Sequence, residues 1–426
     1  MRRAFMCRSL LCVVGALALT APLGLAQTMA ITGGTVFPVK GPKIENATVV
    51  IVDGRITAVG AGVAVPAGAT VIDARGKWVT PGLINVATSL GLVEVGAVSD
   101  TRDNGARGTN GVAAFFQPWD GLNAASVNIP QARNDGLTTV LTLPQGGLVS
   151  GQAALIDLVG ATAEQLIRKA PAAMMVSLGH STARGELFAR LRELLTDARV
   201  YATRRAQYEL GNSRTMAASK ADLEALQPVI AGTLPLVIDA DRRSDIEAVI
   251  KLARDFKLRV ILASGAEAWM VAGDLAAAKI AVITGGILNI PRSFASLGQR
   301  SDNAALLRRA GVNLVLISDS YADGATFNPG NVRYEAGNAV SSGLSWDDGL
   351  RALTLGPAEA FGVSDKVGAL APGMDGNVVV WSGDPFEFAT RAEAVLIKGR
   401  RVEGPSRRDD LQKRYRTLPP ASSSAP

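Results

Sequence analysis

Very few side chains in this sequence have the chemistry to activate a nucleophile or hold a metal. Among 426 residues there are two cysteines and one histidine. Both cysteines, Cys7 and Cys12, sit in an N-terminal leader, so the rest of the chain has no thiolate ligand, disulfide or cysteine nucleophile. His180 follows the apolar run AAMMVSL, where a strand end opens towards a site. An imidazole titrates near neutrality and could act there as acid or base, or serve as a structural hydrogen-bonder. Two carboxylates end similar runs, Asp239 in LVIDADRRSDI and Asp319 in ISDS. Each has a structural alternative: Asp319 orients the loop SYADGATFNPG, and Asp239 accepts hydrogen bonds from Arg242 or Arg243. Ser89 is a nucleophile only with a base in reach, and no G-x-S-x-G context surrounds it. The run QGGLVSGQ (145–152) is rich in glycine but lacks Gly-Lys-Ser/Thr, so it reads as a loop and not a phosphate cradle.

The elements that must position these groups alternate. Apolar strand-like runs occur at 137–144, 172–178, 234–240, 259–265, 280–286 and 312–320. Amphipathic patterns lie between several of them. SDIEAVIKLARDFK (244–257) places Ile246, Val249, Ile250 and Ala253 at helical spacing with Ser244 as N-cap. AEAWMVAGDLAAAK (266–279) and DNAALLRRAG (302–311) are similar. Strands alternating with helices predict a parallel sheet covered on both faces, in the α/β class. A (β/α)8 TIM-like barrel fits best, with a doubly wound open sheet as the alternative, because residues 183–233 read mostly as helix and hide the fourth strand. The flanks differ. Residues 47–60 form a β-rich run broken by Asp53-Gly54, 69–81 turn at Arg75-Gly76, and 367–385 and 392–402 are again strands. Two β-rich ends around a long middle predict one small β-sandwich domain built from both.

Domain organisation follows. Residues 1–26 have the pattern of a cleaved secretory signal: Arg2, Arg3 and Arg8, then SLLCVVGALALTAPLGLA. This predicts an exported, periplasmic protein with no membrane span. Residues 27–80 and 366–405 make the two parts of the β-sandwich, 81–365 the barrel, and 406–426 a polar tail without fixed structure. Removing the leader takes three arginines and no acids, which lowers the formal charge from +6 to about +3. No basic stripe runs along the chain, which excludes a nucleic-acid partner.

Several stretches together resemble the amidohydrolase superfamily, particularly its imidazolonepropionase-like and related exported members. They are IVDGRITAVG, the Asp-Ala-Arg-Gly-Lys-x-Val-x-Pro-Gly-Leu-Ile run at 73–84, ISDS at 317–320, LRALTLGPAEAFGVSDKVGALAPGMDGNVVVWSGDP at 350–385 and AEAVLIKGRRV near the end. The resemblance implies a hydrolase of C–N bonds, possibly cyclic amides, with divalent metal at the carboxyl mouth of a barrel. It also implies ligands in the form of a His-x-His on strand 1, histidines on strands 5 and 6 and an aspartate on strand 8. Here those positions hold Ala87 and Ser89, Asp239, Ser264 and Asp319, with Asn85 at a preceding acid position. Imidazole and thiolate, which transition metals prefer, are absent from all of them. The expectation is therefore no metal cofactor. Two functional readings stay open. One is a hydrolase in which Asp319 and His180 are catalytic. The other is a pseudoenzyme with a pocket lined by Asn85, Thr88, Ser89, Asp239 and Ser264. It would bind a small molecule, form a homo-oligomer, or pair with an intact homologue.

Overall fold

In the computed structural model the described residues are 28–179, 183–285, 291, 293–318, 328–402 and 404–416. The first sheet begins with β1 (Thr28–Val36), β2 (Ile44–Val52), β3 (Arg55–Ala61), β4 (Thr70–Asp73) and β5 (Trp78–Pro81). The β2–β3 hairpin turns at Asp53 and Gly54, both at positive φ (49° and 80°), which is the type I′ signature read from the sequence.

The second sheet takes the middle of the chain. Its strands are β6 (Leu83–Thr88), β7 (Leu137–Thr142), β8 (Val149–Asp157), β9 (Ile167–Ser177), β10 (Leu236–Ala240), β11 (Val260–Ser264), β12 (Ala281–Gly285) and β13 (Leu314–Ile317). They are hydrogen-bonded in that order, and β13 returns beside β6 without a backbone ladder, so the barrel is nearly closed. From β9 to β13 all pairing is parallel. The chain then returns to the first sheet with β14 (Val378–Trp381), β15 (Ala392–Ile397) and β16 (Arg400–Arg401). There β14 pairs with β5, so strands from the two chain ends share one sheet.

The strict (β/α)8 expectation fails at one place. β8 runs antiparallel to both β7 and β9, and no helix separates it from β7. The physical reason lies in the run first read as a mere loop. Gln145-Gly-Gly lets the chain reverse tightly, with Gly146 and Gly147 at φ 103° and 68°, and VSGQAALID then continues as a buried strand. The strand ending at Ser177, ahead of His180, is therefore the fourth of the barrel. The helical stretch that seemed to hide the fourth strand is the connection Arg184–Glu209 leading on towards β10.

Alternation along the strands divides the core into two layers. Ile84, Val86, Leu141, Leu155, Met175, Val237, Ile261, Ala263, Ile283, Val315 and Ile317 pack inside the barrel. Leu83, Val140, Met174, Ile238, Val260, Leu262, Val282 and Leu316 face the helices. The helix Arg243–Phe256 buries Ile246, Val249, Leu252 and Ala253 against that outer layer. Ser244 is not its N-cap. The helix starts one residue earlier, and the Arg243 N–H donates to Glu267 Oε2 at 2.8 Å, which supplies the cap from another loop.

The tail also departs from expectation. Arg407–Tyr415 is a helix, because Ser406 and Asp409 form a reciprocal capping box and Asn134 donates to Asp409 Oδ2 at 3.1 Å.

Candidate functional site

The carboxyl ends of the parallel strands β9 to β13 lie at one mouth of the barrel. His180 and Asp319, the two catalytic expectations, lie outside the described residues. The first strand is described in full. Asn85 is completely buried. Its Nδ2 donates to Pro329 O at 2.9 Å, and its Oδ1 accepts the Ala87 N–H at 3.0 Å. Thr88 is equally buried, and its hydroxyl donates to Leu141 O at 2.9 Å. Both side chains spend their polar groups on binding β6 to its neighbours. Ala87 packs with the barrel interior, Ser89 is 2% exposed, and neither supplies an imidazole.

On β11 the alternation puts Ala263 inside with Ile261, while Val260 and Leu262 face out. Ser264 therefore falls on the outer parity. It ends the strand at φ +68°, a left-handed conformation that a residue with a Cβ adopts at a cost of about 1–2 kcal/mol. Gly265 continues at φ +61°, and its N–H donates to Ala240 O at 3.0 Å. The two left-handed residues turn the chain sharply from β11 into the next loop. That loop is fixed by side chains. Glu267 Oε1 accepts the Gly298 N–H at 3.1 Å, and the Trp269 indole N–H donates to Gly298 O at 2.8 Å.

Asp239 is on the inner parity of β10 with Val237, level with Ser177 on β9 and Ala263 on β11. Arg243, expected as a partner, sends its guanidinium to Glu247 instead, Nε to Oε1 2.8 Å. Asp239 lines a cavity of about 220 Å³ with Gln145, Ser150 and Ser177 as the other polar groups and Leu143 and Met175 as apolar walls. None of these three polar residues is singled out by sequence reading. The usable signal was the QGGLVSGQ run, whose glycines bring both Gln145 and Ser150 to the mouth. A second, much smaller space of about 10 Å³ lies on the other side of Asp239, lined by Asp241, Asp245 and Arg184. There Arg184 Nε is 3.1 Å from Asp245 Oδ2, and Asp241 Oδ1 accepts the Ala266 N–H at 3.1 Å.

Of the expected pocket residues, only Asp239 lines the larger cavity. Asn85 and Thr88 are stapled into the strand layer. Among the described residues no three His, Cys, Asp or Glu side chains converge as a metal-binding group, and no helix is long and apolar enough to cross a membrane.

Residues 257–402 match the sequence profile of the amidohydrolase family. The chain is similar to an amidohydrolase of known structure from Thermotoga maritima MSB8, at 25% identity and a TM-score of 0.79, over 88% of this chain and 100% of that one. It also resembles a solved molinate hydrolase in fold, at 19% identity and a TM-score of 0.54, over 94% and 99%. The amidohydrolase tasK of Hapsidospora irregularis is 21% identical over 377 residues, which is 79% of this chain; the chain spans only 37% of that relative's length. The barrel, its joint sheet and these matches together show that the chain is similar to members of the amidohydrolase superfamily.

Proposed function

We propose that this protein binds a small molecule in its barrel mouth and does not carry out the metal-dependent hydrolysis of the amidohydrolase family. The observation that carries this reading is the chemistry of the donor set. Where two imidazoles on the first strand and one on the sixth would hold a metal, the chain has Ala87, Ser89 and Ser264. The inward neighbour of Ser264 is the methyl group of Ala263. Zinc and its neighbours want nitrogen or sulfur donors in tetrahedral array, and hard ions want six or more oxygens. Asp239 and Asp319 with His180 fall short of both sets, so no step is routed through a metal. What the mouth does retain is a cavity with a few polar groups and apolar walls, the usual form of a small-molecule site. The N-terminal signal pattern supports a periplasmic setting for this binding.

A second reading is hydrolysis of a C–N bond, which the superfamily resemblance and the inward-facing Asp239 favour. Turnover separates the two. The protein, with and without added zinc or manganese, is assayed against N-acyl amino acids, ureas and cyclic amides. The proposal expects no turnover above background. Metal-stimulated hydrolysis that Asp319→Asn abolishes would establish the second reading.

A further inference from the structure

We propose that the amino end of the barrel carries a second binding site, a cradle for a small dianionic oxyanion of the sulfate or phosphate type, held between Lys169 and Arg259. The site lies at the opposite end of the strands from the cavity beside Asp239 and does not depend on it. Lys169 falls near the start of β9, and Arg259 immediately precedes β11. Both side chains are half-buried. Both reach the end of the helix Leu355–Ala360, which closes this end of the barrel with Ala358 and Phe361 packed into the interior layer. The Lys169 ammonium donates to Phe361 O at 2.8 Å, and Arg259 Nη2 donates to Ala360 O at 2.5 Å.

Three observations point to an anion. First, neither cation forms an ion pair with any described residue. The carboxylates on the adjoining segments are engaged elsewhere, Asp157 by Arg168 and Lys398, and Glu359 by Arg351. The carbonyls at a helix C-terminus present about half a negative charge, against two full positive ones. Second, the donors are not used up. An ammonium has three N–H groups and a guanidinium five, and each head spends one on a carbonyl. Third, the heads converge. The point where a Cβ on Gly362 would stand is 3.4 Å from Lys169 Nζ and 3.8 and 3.9 Å from the two Arg259 Nη atoms, its nearest atoms outside the flanking residues. Gly362 leaves that point open, at a φ of +68° that favours glycine. An oxyanion seated there takes charge-assisted hydrogen bonds from both heads. Burial, and after it the neighbouring Arg259 guanidinium, holds the Lys169 ammonium below its usual pKa, and burial lowers that of Arg259. An anion relieves both effects.

Binding is measured by calorimetry on the purified full chain at neutral pH, titrating sodium sulfate, phosphate and acetate at fixed ionic strength. Heat of binding is read because sulfate and phosphate also stabilise folded proteins by exclusion from their surface. The inference expects saturable binding of sulfate and phosphate, the tighter of the two naming the group, with acetate weaker by about tenfold or more. Lys169→Met and Arg259→Met should each weaken sulfate by about tenfold or more, and Lys169→Arg should largely keep it. Gly362→Asp sets a carboxylate into the cradle in a conformation that Asp tolerates, and should abolish sulfate binding in a chain that circular dichroism shows to be folded. That variant decides the matter should either methionine variant misfold. Sulfate binding left unchanged by these substitutions would place the anion elsewhere and overturn the inference, as would heats that never saturate, the mark of a general salt effect. Acetate binding as tightly as sulfate would overturn the selection of a dianion.

Discussion

At the residue scale, the site is defined by what each side chain is already committed to. Asn85 and Thr88 look, in sequence, like free polar groups beside missing ligands. Their hydrogen bonds to Pro329 O and Leu141 O show that they hold β6 to the loop after β13 and to β7. Sequence could not reveal this, because both partners are backbone atoms of distant segments. Asp239 was legible, since strand alternation alone aims it inward. Ser264 was legible as a substituted ligand position but not as a strained one. Its φ of +68° leads to a prediction. Ser264→Gly removes the Cβ penalty and should leave the protein as stable or more stable, by up to about 1 kcal/mol, in urea unfolding at pH 7. A loss of more than about 1 kcal/mol would mean that the Ser264 hydroxyl makes a bond that outweighs the strain.

At the element scale, the strands and the amphipathic helices followed from apolar periodicity, and the Asp53-Gly54 turn from its residue types. The miss was β8. A nine-residue strand of small and apolar residues entered by two glycines resembles a loop, and its antiparallel sense depends on pairing with strands on either side. Helix capping is another feature that reads only in part. Ser345 caps the helix Trp346–Ala352 through the Asp348 N–H at 3.1 Å, and Asp348 in turn accepts from Arg308 Nε at 2.5 Å. Burial pushes the Asp348 carboxyl up, but hydrogen bonds from Arg308 and Ser345 and the charge of Arg308 outweigh it, so it ionises below the usual carboxylate range. A depressed folded-state pKa stabilises above the unfolded value near about 4, and the benefit is lost as pH falls through the lower folded value. Asp348→Asn should therefore cost about 1 kcal/mol at pH 7 and almost nothing at pH 2, compared by denaturant unfolding at the two pH values. An equal cost at both would assign the effect to packing instead of charge.

At the scale of the whole molecule, the two sheets are joined by buried ions. Asp157, fully buried at the end of β8, accepts from Arg168 Nε at 2.7 Å and from the Thr139 hydroxyl at 2.9 Å. Arg168 reaches on to Asp375 at 2.7 Å, and Lys398 Nζ stands 2.8 Å from Asp157. Asp375 and Lys398 flank β14 and β15, so this network ties the barrel to the sheet built from the chain ends. Arg168→Met leaves Asp157 short of its main counter-ion and should cost about 3–5 kcal/mol, read as a large fall in the urea midpoint; a change below about 1 kcal/mol would show that Lys398 compensates alone. The joint sheet itself was foreseeable from the β-rich ends. The ion network was not, because its members are scattered from Asp157 to Lys398.

The proposed exchange of a metal site for a small-molecule pocket is open to direct measurement. Elemental analysis of the untagged protein, purified without chelator, tests it most directly. The account predicts zinc, manganese and iron far below one ion per chain. Near-stoichiometric metal that falls away in Asp239→Asn or Asp319→Asn would contradict it and restore the hydrolase reading.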